Sequence, residues 1–120
     1  VCSDHSPQDI ESKETEFDFA SVGMIGQETV YAALNTVMNS SKEQDLLISL
    51  LCTNPRRILG LETPVIKEGS SANITIFDPT IKWTFSESDI KSRSRNTPFI
   101  GKSFTGKVIG VMNRGELVLN

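Results

Sequence analysis

The chain has 120 residues, the length of one ordinary domain, with 38% hydrophobic and 22% charged residues, too balanced for a disordered chain. A formal net charge of −3 argues against general nucleic-acid binding, which needs a basic surface. No apolar run approaches the ~20 residues that cross a bilayer, so no membrane span is expected.

The opening stretch Val1-Cys2-Ser3-Asp4-His5-Ser6-Pro7 is a short apolar start running into an Asp-His pair and a Pro. Such a pattern predicts a strand that delivers a carboxylate and an imidazole to its carboxyl end, where chemistry sits in parallel α/β sheets and barrels. There is no room before it for the rest of a sheet, and the chain therefore reads as the tail of something larger. A turn-initiating role fits Asp4 equally well on the residues alone. Cys2 and Cys52 show no metal or redox spacing and are expected to be buried free thiols, as suits a reducing cytoplasm.

Gln8 to Ala20 is polar and aperiodic, a long loop that Phe17 and Phe19 are expected to pin from below. Gly23 and Gly26, three apart, predict a tight loop leading into a helix whose apolar face is Val30, Ala33, Leu34 and Val37. Free N–H groups there suit either an anionic ligand or simple loop geometry. Ser41 with Gln44 three residues on predicts a capped helix burying Leu46, Leu47, Leu50 and Leu51. Asn54-Pro55 predicts a new helix start, and Gly60 its stop. Arg56 and Arg57 are expected on that helix surface, although a phosphate could use them.

From Glu62 the pattern turns to β. Asn73–Phe77 alternates, Asp78-Pro79 is expected to end that strand, and Ile81, Trp83 and Phe85 alternate in a second one. Ser86 to Pro98 is a polar excursion. Lys107–Met112, a turn at Asn113-Arg114-Gly115 and Glu116–Leu119 predict a hairpin. Helices in the first half and strands in the second suggest two units, 1–61 and 62–120.

Three segments in order, Ser3-Asp4-His5-Ser6-Pro7, Gly23-Met24-Ile25-Gly26-Gln27-Glu28-Thr29 and Asn54-Pro55-Arg56-Arg57-Ile58-Leu59-Gly60, resemble the carboxyl-terminal part of dihydroorotases. Ala72-Asn73-Ile74-Thr75-Ile76-Phe77-Asp78, Ser94-Arg95-Asn96-Thr97-Pro98-Phe99 and Gly106-Lys107-Val108 continue the likeness. The Asp-His-x-Pro element alone would indicate only the wider cyclic amidohydrolases, hydantoinases and allantoinases included. The resemblance implies a metal-dependent (β/α)8 barrel joined to a small β-sandwich. Val1–Asp4 would be the last barrel strand, residues 27–39 the last barrel helix, and residues from about 62 the carboxyl-terminal share of the sandwich. Taken alone, the chain is expected to be α+β.

The resemblance further implies zinc, one or two ions, with Asp4 as metal neighbour or ligand and as the catalytic base that moves a proton to the leaving amide nitrogen. The rest of the metal site, including a His-x-His pair, would lie outside these residues, and the chain by itself is expected to bind no zinc and to be inactive. His5 neighbours Asp4 on the opposite side of the backbone and is expected to pack rather than ligate. Gly23 falls on the segment whose N–H groups meet the substrate. Gln8 stands where the family commonly has a His that contacts the substrate carboxylate; Gln donates a hydrogen bond but carries no charge. That departure leaves open a non-catalytic homologue serving as a structural partner of aspartate transcarbamoylase. The implied reaction is interconversion of N-carbamoyl-aspartate and dihydroorotate in pyrimidine biosynthesis, in the cytoplasm. The exposed apolar helix face of a fragment predicts self-association.

Overall fold

The computed structural model describes residues 1–38 and 40–120. Three short helices, α1 (Val30–Val37), α2 (Ser41–Ile48) and α3 (Asn54–Ile58), precede three strands, β1 (Asn73–Thr84), β2 (Ser103–Asn113) and β3 (Glu116–Leu119). The strands make one antiparallel sheet in the order β1-β2-β3, so the fold is α+β. The β2–β3 hairpin forms as the sequence predicts. Asn113 pairs with Glu116, and Arg114 (φ 52°) and Gly115 (φ 82°) supply the two left-handed residues that match the twist of a tight hairpin.

The two strands expected on either side of Asp78-Pro79 are one strand. Its register with β2 jumps from Asp78↔Lys107 to Lys82↔Thr105, and this irregularity accommodates Pro79, which has no N–H to give to a ladder. Asp78 shapes the bulge by accepting both the N–H and the hydroxyl of Thr80, at 2.8 and 2.6 Å.

The core consists of Ile25, Ala32, Phe85, Ile90 and Phe104, with Ala33, Trp83 and Phe99 packed against it. It therefore draws on both halves of the sequence. The aromatic rings meet at tilted or edge-on angles, Phe99 and Phe104 with centroids 5.6 Å apart, an arrangement that complements the ring quadrupoles.

Helix α1 packs on β2, but with a different face from the one its apolar spacing predicts. Ala32 and Asn35 are the buried residues, while Val37 is 83% exposed. The cause is Asn35, which has no exposed surface. Its amide nitrogen donates to the carbonyls of Pro79 at 3.0 Å and Thr105 at 2.8 Å, and its oxygen accepts from the Gln44 amide. The Pro79 carbonyl inside the register jump and the Thr105 carbonyl at its edge thus find a donor from the helix. Thr36 accepts the Thr105 N–H at 2.8 Å beside it. Gly106 (φ 94°) leaves the necessary gap, since a Cβ there would stand 2.5 Å from the Asn35 amide nitrogen.

Several local expectations are corrected. The cap of α2 is Ser40, with Glu43 reaching back to its N–H at 2.9 Å, one residue earlier than predicted. The side chain of Ser41 and all of Asn39 lie outside the described residues. In α2 and its continuation Leu47 is buried and Leu50 and Leu51 half-buried, but Leu46 is half exposed. Asn54 starts no new helix: α2 runs through one wide π turn, Ser49–Thr53, directly into α3. Asn54 donates its N–H to Ser49, five residues back, and this wider register lets the helix absorb Pro55, which has no N–H. Gly60 (φ 65°) ends α3 as expected, with the Leu61 N–H closing on the Arg56 carbonyl at 2.8 Å.

Phe17 and Phe19 are 94% and 76% exposed and pin nothing. Backbone turns such as Ala20 N–H to Glu16 carbonyl, 3.0 Å, and the Lys13 ammonium on the Ser21 carbonyl hold that loop instead. Both cysteines are free, but exposed rather than buried. Among the described residues no helix is long and apolar enough to cross a membrane.

Replacing Asn35 by Leu is expected to lower stability by about 2–4 kcal/mol, because two carbonyls and the Gln44 amide lose their partner in a buried place. Urea denaturation of both proteins checks this.

Candidate functional site

Residues 3–6 and 23–27 lie side by side. They share one parallel bridge, His5 with Met24, and the Ser6 N–H donates to the Met24 carbonyl at 2.9 Å. Val1–Asp4 is not a strand, contrary to expectation; the pairing along this stretch begins only at His5. The glycine spacing is explained by the same contact. A Cβ on Gly23 (φ 120°) would stand 2.7 Å from the Ser6 carbonyl, and one on Gly26 would stand 2.5 Å from the Ser3 carbonyl. Two glycines three apart therefore match two serines three apart.

His5 works inside this junction. Its Nδ1 accepts the N–H groups of Gly26 and Gln27, each at 3.2 Å, just before α1 begins. Such bonds satisfy donors that a helix start leaves free, and they occupy that ring nitrogen.

On the other side lies the 86–98 excursion. The Asn96 carbonyl accepts the Ile25 N–H at 2.9 Å, and its side-chain amide donates to the Gly23 carbonyl at 2.7 Å. Further along, Ser92 donates its N–H, at 2.8 Å, and its hydroxyl to Glu28. Burial pushes the Glu28 carboxyl up, but the Ser92 hydroxyl, backbone N–H donors and the nearby His5 outweigh it and hold the group below its usual range.

The three candidate residues are placed differently. Gln8 is half-buried, with its amide nitrogen 3.3 Å from the Ser6 hydroxyl. It lines a concavity of about 660 Å³ with Lys13, Arg93, Arg95 and Asn96. Gly23 rests on the same Ser6. The structure thus brings Gln8 and Gly23 together through Ser6. Asp4 is exposed, stands at φ 47°, a left-handed conformation that Asp tolerates better than most residues, and does not line that concavity.

Among the described residues no group of three or more His, Cys, Asp or Glu side chains gathers at one point. A zinc hydrolase site takes about three protein ligands, and Nδ1 of His5 is already committed to two N–H donors. The residues present do not make up a metal site, and no chemical step is assigned to a metal here. Asn96 was invisible as a site residue from periodicity; the signal for it was the run Ser94–Phe99.

No family model matches the chain. Individual proteins do. It is 40% identical to the dihydroorotase of Chlorobaculum tepidum and 38% identical to that of Elusimicrobium minutum, in each case over 99% of this chain. The dihydroorotase of Clostridium acetobutylicum is 41% identical over 98%. The chain is similar to dihydroorotases along nearly its whole length. It spans about 28% of the length of these relatives. The dihydroorotase-like segments that carry Asp4, Gly23 and Asn96 are the ones the structure joins.

The depressed Glu28 carboxyl contributes stability above its ordinary value of 4.5, lost as pH falls through the lower folded-state value. Between about pH 6 and about pH 3, wild type is therefore expected to lose stability relative to Glu28→Gln. Denaturant midpoints across that range test it; parallel midpoints for the two proteins would contradict it.

Proposed function

We propose that this chain is the carboxyl-terminal part of a dihydroorotase-like amidohydrolase that interconverts N-carbamoyl-aspartate and dihydroorotate in the pyrimidine pathway of the cytoplasm. The observation that carries this reading is the similarity along 99% of the chain, together with the joining of its family-like segments around Ser6. In the intact protein, residues 1–61 would finish a (β/α)8 barrel and residues 62–120 would contribute to a small β-sandwich. The antiparallel sheet β1-β2-β3 suits the second of those roles.

In the hydrolytic direction water adds to the ring carbonyl, the C–N bond breaks, and a proton passes from the water to the leaving nitrogen. Asp4 is the residue proposed to carry that proton, and general acid–base transfer of this kind contributes about 10²–10⁴-fold. Its exposed carboxylate can be reached by a substrate from the rest of the protein. Gln8 and Gly23 are proposed to face the substrate carboxylate, Gln8 as a neutral donor. Zinc would be held by Asp4 with ligands outside residues 1–120.

A second reading is favoured by Gln8 alone. A neutral side chain at that position would weaken the hold on an anion and suits a non-catalytic homologue that supports aspartate transcarbamoylase. A cyclic amide related to dihydroorotate, as in hydantoinases and allantoinases, is a further option for the substrate.

Dihydroorotate hydrolysis assayed with added zinc separates these readings. The intact protein is expected to turn over and the 120-residue chain to be inert. Turnover by the isolated chain would overturn the reading of it as an incomplete part, and none by the intact protein would overturn the enzyme reading. The isolated chain leaves Val37, Ile58 and Leu59 at least 70% exposed, and apolar surface of that extent favours association. Sedimentation is expected to show species heavier than the 13.2 kDa monomer; a clean monomer at high concentration would contradict this.

A further inference from the structure

We propose that Asn96 is the positioning residue that sets the Gly23 loop for its anionic substrate, an inference that rests on the reading of Gly23 given above. Glycine has no side chain to restrict its own backbone, and at φ 120° it occupies a region open to little else. Its conformation must therefore be selected from outside. Ser6 presses on its Cα side, at a distance no side chain would allow. Asn96 supplies the second restraint, donating its amide to the Gly23 carbonyl at 2.7 Å while its own carbonyl takes the Ile25 N–H at 2.9 Å.

Because a peptide unit is planar, fixing the Gly23 carbonyl also fixes the Met24 N–H, which lies in the same plane and points the opposite way. The Ser6 N–H then holds the next carbonyl, that of Met24. Two consecutive peptide planes are thus clamped from both flanks before any ligand arrives, with the Ile25 N–H itself taken up by the Asn96 carbonyl. An amide is the side chain this place needs, since a carboxylate would set an acceptor against the Gly23 carbonyl. The same Asn96 lines the concavity that holds Gln8, Lys13 and Arg93. The arm that carries it is fastened independently, through Ser92 to Glu28. Losing the Asn96 amide would release the Gly23 carbonyl without detaching the arm.

The test is calorimetric binding of N-carbamoyl-aspartate to the intact protein, as wild type, Asn96→Asp, Asn96→Ala and Ser92→Ala. Both Asn96 variants are expected to bind about 3–10-fold more weakly, as the loss of one positioning hydrogen bond would give, with Ser92→Ala within about 2-fold of wild type. Amide exchange of residues 22–27 should quicken in the Asn96 variants. Unchanged binding by a folded Asn96 variant, or an equal loss in Ser92→Ala, overturns the positioning role while leaving the functional reading in place. A wild type that does not bind sinks the functional reading, and the positioning role with it.

Discussion

A single buried amide organises the packing of this chain. Asn35 joins α1 to the bulge of β1, to β2 and to α2, and it does so with both its donor and its acceptor engaged. A buried polar group without partners costs free energy, whereas a fully satisfied one specifies a single arrangement. The left-handed Gly106 and the rotation of α1 away from its most apolar face follow from placing that amide, and the register jump at Pro79 supplies one of its acceptors. Hydrophobic burial then completes the joint, with Ala32 small enough for the helix to lie close to the sheet beside Phe85 and Phe104.

The same joint positions the candidate site. Because α1 is held on the sheet, its amino-terminal approach, residues 23–29, is carried to a fixed place between residues 3–6 and the 86–98 excursion. Beside the apolar packing of Ile25 and Ile90, short polar contacts fix it: His5 on the N–H groups of Gly26 and Gln27, Ser6 on Met24, Asn96 on Gly23 and Ile25, Ser92 on Glu28. Three stretches far apart in sequence meet through backbone groups, which explains why two glycines sit where side chains would collide with Ser3 and Ser6. Asp4 stands exposed at the margin of this junction.

Much of this was legible in the sequence wherever a local rule governs. The Arg114-Gly115 hairpin, the stop at Gly60 and the alternation of Ile81, Trp83 and Phe85 depend on neighbours in the chain. What was missed depends on partners far away. Periodicity turned α1 toward Val30 and Val37 because it counts apolar residues and cannot price a buried Asn with distant acceptors. Pro79 looked like a strand end because a bulge requires knowledge of the opposite strand. Phe17 and Phe19 looked like anchors because hydrophobicity alone does not say whether a surface exists beneath them. Asn54-Pro55 looked like a helix start because a π turn leaves no compositional mark. At the site, Asp4, Gln8 and Gly23 came from resemblance to a family, while Asn96 emerged only from the hydrogen bonds.

The central claim is that a dihydroorotase-like active site draws its proton carrier from this chain, at Asp4. The most direct measurement compares dihydroorotate hydrolysis by the intact protein and its Asp4→Asn variant under saturating substrate. The expected result is a fall in kcat of about 10²-fold or more, the scale of a lost general acid–base, with binding of N-carbamoyl-aspartate retained. A variant that turns over at the wild-type rate would contradict it.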